Sequence, residues 1–133
     1  MRIIREQRRK GTEGLSLVEL LVTVFVLSVG VLSAIMFYTN AMRATEFARD
    51  ITLATTHGDY LFEEMQTRPS LSNITGTNWD TWAQTEGIKT LPSETISVTY
   101  ANATAVPLEV SATVSWEKYE RQNNLDLETK ITK

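Results

Sequence analysis

The sequence predicts an α+β chain, with one long N-terminal helix packed on a small antiparallel β-sheet. The first half of that helix is expected to be transmembrane and the second amphipathic. Three observations lead there. An apolar run fills residues 15–38, interrupted by a single charged side chain, Glu19. A stripe of apolar and small residues at spacings of three and four carries the helical pattern on to Gln66. The C-terminal third then alternates apolar and polar residues at period two.

Ahead of the apolar run lies a basic segment. Arg2, Arg5, Arg8, Arg9 and Lys10 stand against Glu6 and Glu13, giving the first fourteen residues a net charge of +3. The whole chain of 133 residues carries −3, so the remainder carries −6. Positive flanks stay in the cytoplasm, which predicts a cytoplasmic N-terminus and an exported C-terminal part. Binding to nucleic acid needs clustered Lys and Arg to neutralise phosphates. No basic patch lies outside the leader, so nucleic acid is not an expected partner. The chain has no cysteine, which excludes a disulfide framework and a thiolate metal site.

Residues 15–38 number twenty-four, about 36 Å of helix at ~1.5 Å per residue. That spans a hydrocarbon core of roughly 30 Å. A secretory signal peptide has a shorter apolar region, about 7–15 residues, followed by a small-residue cleavage site. Here the run is longer, and the small residue, Gly14, precedes it. Glu19 is the anomaly. An acidic side chain at a helix centre in lipid costs roughly 2.5–3.5 kcal/mol on insertion scales, so something is expected to compensate it.

The helix is predicted to continue beyond the span, since no proline occurs before Pro69. Ala41, Ala44, Ala48, Ile51, Thr55, Gly58, Phe62 and Met65 form one helical stripe, which Phe47, Ala54 and Leu61 widen. Arg43, Glu46, Asp50, Glu63 and Glu64 fall mostly outside it. The small residues in the stripe predict that a sheet approaches the helix axis closely. Residues 67–94 are rich in Thr, Ser, Asn, Gly and Pro and read as a connecting loop. Trp79 and Trp82 fit one helical turn inside that loop, pinning it to the core.

Three strands follow. Ile96, Val98 and Tyr100 form one face of the first. Val110, Ala112, Val114 and Trp116 form one face of the second, and Leu125, Leu127, Thr129 and Ile131 of the third. Arg121, Gln122, Asn123 and Asn124 offer turn chemistry between the last two. The predicted sheet keeps one face on the helix and one in water.

Catalytic constellations are missing. His57 is the sole histidine and reads as a surface or domain-edge residue. Glu63 and Glu64 are adjacent and point in different directions, so they form no catalytic carboxylate pair. No phosphate-binding loop, nucleophile elbow or HExxH helix is present. Asp80 and its acidic neighbours have oxygens suited to Ca²⁺, without the spacing of a known loop. Asn73-Ile74-Thr75 and Asn102-Ala103-Thr104 match the N-glycosylation triplet. No enzyme activity, metal or cofactor is expected.

One constellation remains. Gly14 is followed by Leu15-Ser16-Leu17-Val18-Glu19-Leu20-Leu21. A basic leader ending in Gly, then an apolar residue, then Glu fifth after the break, closely resembles the cleavage-and-methylation motif of type IV pilins and pseudopilins. The resemblance at the N-terminus covers about residues 9 to 40, and the predicted architecture is pilin-like throughout. It implies three segments. Residues 1–14 would be a cleaved basic leader peptide, 15–38 the transmembrane half of the helix, and 39–133 an extracytoplasmic globular domain.

The resemblance also implies roles. A prepilin peptidase would cut between Gly14 and Leu15, and the new Leu15 amine would be N-methylated. Glu19 would pair with the Leu15 amine of a neighbouring subunit, so that two groups disfavoured in lipid neutralise each other. The family usually has Phe where this chain has Leu15. The spacing is consistent with these roles, because Leu15 and Glu19 are four apart and share a helix face.

No cysteine pair closes a C-terminal loop, and the span lacks the mid-helix proline frequent in major pilins. The ending, with Trp116 on a strand before the last strand, is similar to minor pilins of the V type and to I-type minor pseudopilins of type II secretion. The implied function is a minor pilin or pseudopilin, a structural subunit that initiates or modifies assembly of a type IV pilus-like filament. Its implied partners are the prepilin peptidase, other pilins or pseudopilins, an inner-membrane assembly platform and lipid. Its implied location is the bacterial inner membrane, then the filament. A second reading is a signal-anchored, single-pass membrane protein whose exported domain binds a partner without any filament.

Overall fold

Helix α1 spans Leu17–Thr67 and is followed by α2 (Leu71–Thr75), α3 (Trp79–Thr85), β1 (Thr95–Tyr100), β2 (Leu108–Lys118) and β3 (Arg121–Ile131). The structure, a computed structural model, describes residues 16–133. The strands form one antiparallel sheet in the order β1-β2-β3, so the layout is α+β. The chain falls into two compact units, one ending at Arg43 and the other running from Ala44 to Lys133.

In the first unit every side chain from Leu17 to Tyr38 is exposed. This stretch of α1 is long and apolar enough to cross a membrane. Its Ser and Thr hydroxyls are satisfied within the helix. Ser28 donates to the Val24 carbonyl at 2.7 Å and Ser33 to the Val29 carbonyl at 2.8 Å. Such back-bonding leaves no Ser or Thr hydroxyl seeking water on an apolar surface.

The core lies in the second unit, between α1, the two short helices and the inner face of the sheet. Central β2 contributes Leu108, Val110, Ala112, Val114 and Trp116, all buried. Ile96 and Ile131 are buried on the outer strands, while Val98, Leu125 and Leu127 are half-buried. These are the faces that the period-two patterning predicts. Three contacts order α1 along β3. Lys118 Nζ meets Asp50 Oδ2 at 2.7 Å, Gly58 abuts Leu127, and Lys133 Nζ bonds the Gln66 carbonyl. Helix and strand therefore run in the same direction.

The close approach expected of a small-residue stripe occurs at Gly58. A Cβ there would sit 2.0 Å from Leu127 Cδ1, so the missing side chain makes the contact. The stripe itself is shorter than the sequence pattern suggests. Burial on α1 begins at Asp50 and continues through Ala54, His57, Gly58, Leu61, Phe62 and Met65. Ala41, Ala44, Phe47 and Ala48 are exposed. The physical reason is that the β2–β3 hairpin ends beside Glu46 and Asp50, and no strand among the described residues reaches further up the helix. Asp50, predicted to lie outside the stripe, is buried because Lys118 provides its counter-charge.

The turn between β2 and β3 also differs from expectation. Lys118 pairs with Arg121, so the loop is the two residues Tyr119 and Glu120, with φ of 53° and 59°. Positive φ at both central positions is the twist-matched hairpin geometry. Residues 121–124, expected as the turn, belong to β3. The segment 67–94 carries two short helices rather than loop alone. Ser70 caps α2 by accepting from the Asn73 amide, and Asn78 caps α3 by accepting from the Thr81 amide. The expected turn at Trp79 and Trp82 opens α3, with Trp79 buried.

Candidate functional site

Of the residues singled out by the motif, Gly14 and Leu15 lie outside the described residues, and Glu19 is described. The Ser16 carbonyl accepts the Leu20 amide at 3.0 Å, so Ser16 occupies the N-cap position and Glu19 sits in the first turn of α1. A carboxylate there faces the positive end of the helix dipole. Ser16 and Glu19 have the S-x-x-E spacing of a capping box, yet the reciprocal side-chain bonds of that motif are not made. The Glu19 carbonyl accepts Thr23 Oγ1 at 2.8 Å. Its carboxylate is exposed and makes no ion pair among the described residues. Among the described residues Glu19 is thus an acid without a partner, beside Leu17, Val18, Leu20 and Leu21, all exposed.

The second unit contains polar groups that sequence patterning did not bring together. His57, predicted as a surface or domain-edge residue, is buried on α1. Its Nδ1 lies 2.7 Å from Glu94 Oε1, and Glu94 is equally buried. The other carboxylate oxygen, Oε2, accepts the amides of Thr90 at 3.0 Å and Leu91 at 2.9 Å. The Thr90 hydroxyl lies 3.3 Å from His57 Nε2.

Hydroxyl, imidazole and carboxylate thus stand in the order of a nucleophile, a base and its orienting acid. The two amides next to that hydroxyl are, however, bonded to Glu94, and so do not point at a developing oxyanion. The arrangement ties the segment before β1 to α1.

A second tie clasps the hairpin tip. Lys118 bridges Asp50 at 2.7 Å and Glu46 at 3.5 Å, and the Tyr119 hydroxyl donates to Glu46 Oε2 at 2.6 Å. The Tyr119 bond, helped by the Lys118 charge, lowers the Glu46 pKa from its ordinary value. The Asp50 bond raises that of Lys118.

Asp80, considered for Ca²⁺, is occupied by protein donors. It pairs with Lys89 and accepts the Ile96 amide at 2.8 Å. Burial works against its charged form, but the Lys89 and Ile96 bonds prevail and hold its carboxyl below the usual range. No group of three or more His, Asp or Glu placed to hold a metal occurs among the described residues. Trp79 Nε1 donates to the Ile74 carbonyl and to the Tyr100 hydroxyl, each at 3.0 Å. Trp82 stacks on Tyr60 with centroids 5.9 Å apart. The tryptophans fasten α3 to its neighbours.

Glu63 is exposed, and Glu64 pairs with Arg68 at 3.0 Å. Asn73 lies in α2, and Asn102 accepts the Thr104 amide at 3.1 Å in an exposed turn. Comparison with family models, with curated proteins and with solved structures finds no match.

Proposed function

We propose that this chain is a minor pilin or pseudopilin, a structural subunit that initiates or modifies assembly of a type IV pilus-like filament. The observation that carries this reading is Glu19, a carboxylate with no partner among the described residues, in the first turn of an exposed apolar helix. A buried, uncompensated charge is strongly destabilising, so such a residue fits a helix that meets its counter-charge in another molecule. The counter-charge is the methylated amine of Leu15 on a neighbouring subunit, released when a prepilin peptidase cuts after Gly14. The N-terminus would lie in the cytoplasm of a bacterial inner membrane and the second unit outside it. Further partners are other pilins or pseudopilins and an inner-membrane assembly platform.

Mass spectrometry of the membrane-bound protein tests this directly. The expected chain begins at an N-methylated Leu15. A chain that retains the leader overturns the proposal and favours a signal-anchored protein acting without a filament. A Glu19→Ala variant should still insert, yet recover about tenfold less partner subunit in a pull-down, equivalent to about 1.4 kcal/mol of lost pairing.

A further inference from the structure

The two outer strands are treated differently. At the β1 edge the Ile96 amide points away from β2 and donates to Asp80 on α3. That direction also sets the phase of the whole ladder. In an antiparallel sheet, residues alternate between bonding inward and bonding outward. With Ile96 directed outward, its partner Val114 bonds to Leu125 on the far side. Odd residues of β3 therefore bond β2. Even residues turn their amides and carbonyls away from the sheet. These are Gln122, Asn124, Asp126, Glu128 and Lys130, and none of these backbone groups has a backbone partner among the described residues.

Edges of this kind are usually blunted by edge charges, Lys above all, or by proline, a bulge or an inward charge. Strand β3 is eleven residues long and pairs with β2 in unbroken register. Between Gln122 and Lys130 it contains no proline and no inward-facing charge. Its lysine, Lys130, is drawn across β2 by Glu109 at 2.7 Å. Its inward side chains, among them Leu125 and Leu127, are only half-buried.

We propose that β3 accepts one further strand from a different exported polypeptide, an extended segment in which aliphatic and basic side chains alternate. A second copy of this chain does not fit that chemistry: its β1 carries no basic residue, and its β3 offers the same carboxylates, with Lys130 held by Glu109. That the occupant is exported rests on the single-pass reading above.

The chemistry of the occupant follows from the edge. Asp126 and Glu128 stand near its centre, opposite Thr113 and Ser111 on β2, so no cation of this sheet faces them across the ladder. Basic residues on the added strand would meet those carboxylates, and aliphatic ones would cover Leu125 and Leu127.

The test uses the full chain in a neutral detergent and a fluorescent peptide of alternating Lys and Val. Saturable binding is expected, measured by anisotropy. Asn124→Pro removes one outward amide and leaves the β2 ladder intact; it should weaken binding about tenfold, the effect of a lost bond or two. The double variant Asp126→Lys with Glu128→Lys should reject the Lys peptide and bind one of alternating Glu and Val. A Lys-Val peptide with every second backbone amide N-methylated supplies a control that leaves the protein unaltered, and the phase that methylates the pairing amides should abolish binding. Absence of binding to the native chain overturns the proposal. So does equal binding by the charge-reversed variant, or by both phases of N-methylated peptide.

Discussion

His57 Nδ1 lies 2.7 Å from Glu94 Oε1, with the imidazole nearly out of water and the carboxylate wholly so. The pair joins the C-terminal part of α1 to the segment just before β1, across 37 residues of sequence. Removing one member of a buried pair leaves the other without compensation, which costs about 3 kcal/mol or more. Glu94→Ala also strands the Thr90 and Leu91 amides, whereas in His57→Ala the carboxylate keeps both. Glu94→Ala is therefore expected to be the more destabilising of the two. Urea unfolding followed by tryptophan fluorescence checks the order, and a larger loss for His57→Ala would refute this account.

Gly58 meets Leu127 where a side chain has no room. Gly58→Val should destabilise the second unit by about 1–3 kcal/mol through overpacking. Leu127→Ala vacates the space and should restore part of that loss in the double variant. A double-mutant cycle measures the coupling, and strict additivity would show that the two residues are not in contact.

Tyr119 and Glu120 both adopt positive φ, a conformation that costs a residue with a side chain roughly 1–2 kcal/mol. Tyr119 offsets this through its bond to Glu46. The Glu120 side chain makes no ion pair among the described residues that would do the same. Glu120→Gly is expected to stabilise the chain by about 1 kcal/mol, read as a rise in the urea midpoint. Tyr119→Gly should not stabilise it comparably, because it removes the Glu46 contact.

Asp80 has a carboxyl held below its ordinary pKa by Lys89 and the Ile96 amide, against the effect of burial. A group whose folded pKa is lowered contributes stability above its unfolded pKa and loses it as pH falls through the folded value. Stability should therefore decline below about pH 4, the unfolded carboxyl range. Asp80→Asn should flatten that decline and lower stability at neutral pH. Unfolding midpoints between pH 3 and 7 provide the measurement.

The strand faces were legible because period two is a local signal, and Val110 to Trp116 carry it without interruption. The helical stripe was legible in character but not in extent. Its apolar spacing continues upward past Asp50, while the strands that cover it do not. His57 was misjudged because its partner, Glu94, lies in a segment with no periodic pattern. The hairpin turn was misplaced because Tyr119 and Glu120 lack the Gly or Asn usual at positive φ, whereas Asn123 and Asn124 carry turn chemistry inside a strand. Glu19 was legible from the apolar run around it, and its lack of a partner among the described residues needed the structure.

The clasp between Asp50 and Lys118 joins residues 68 apart, whereas β2 and β3 are neighbours in sequence. Local contacts form early and distant ones late, and chains emerge N-terminus first. The hairpin would then close by itself, and α1, made long before, would be the element that waits. Asp50 and His57 keep the waiting face from being wholly greasy until Lys118 and Glu94 arrive. The same two residues that lock the finished unit would thus delay premature association of its helix.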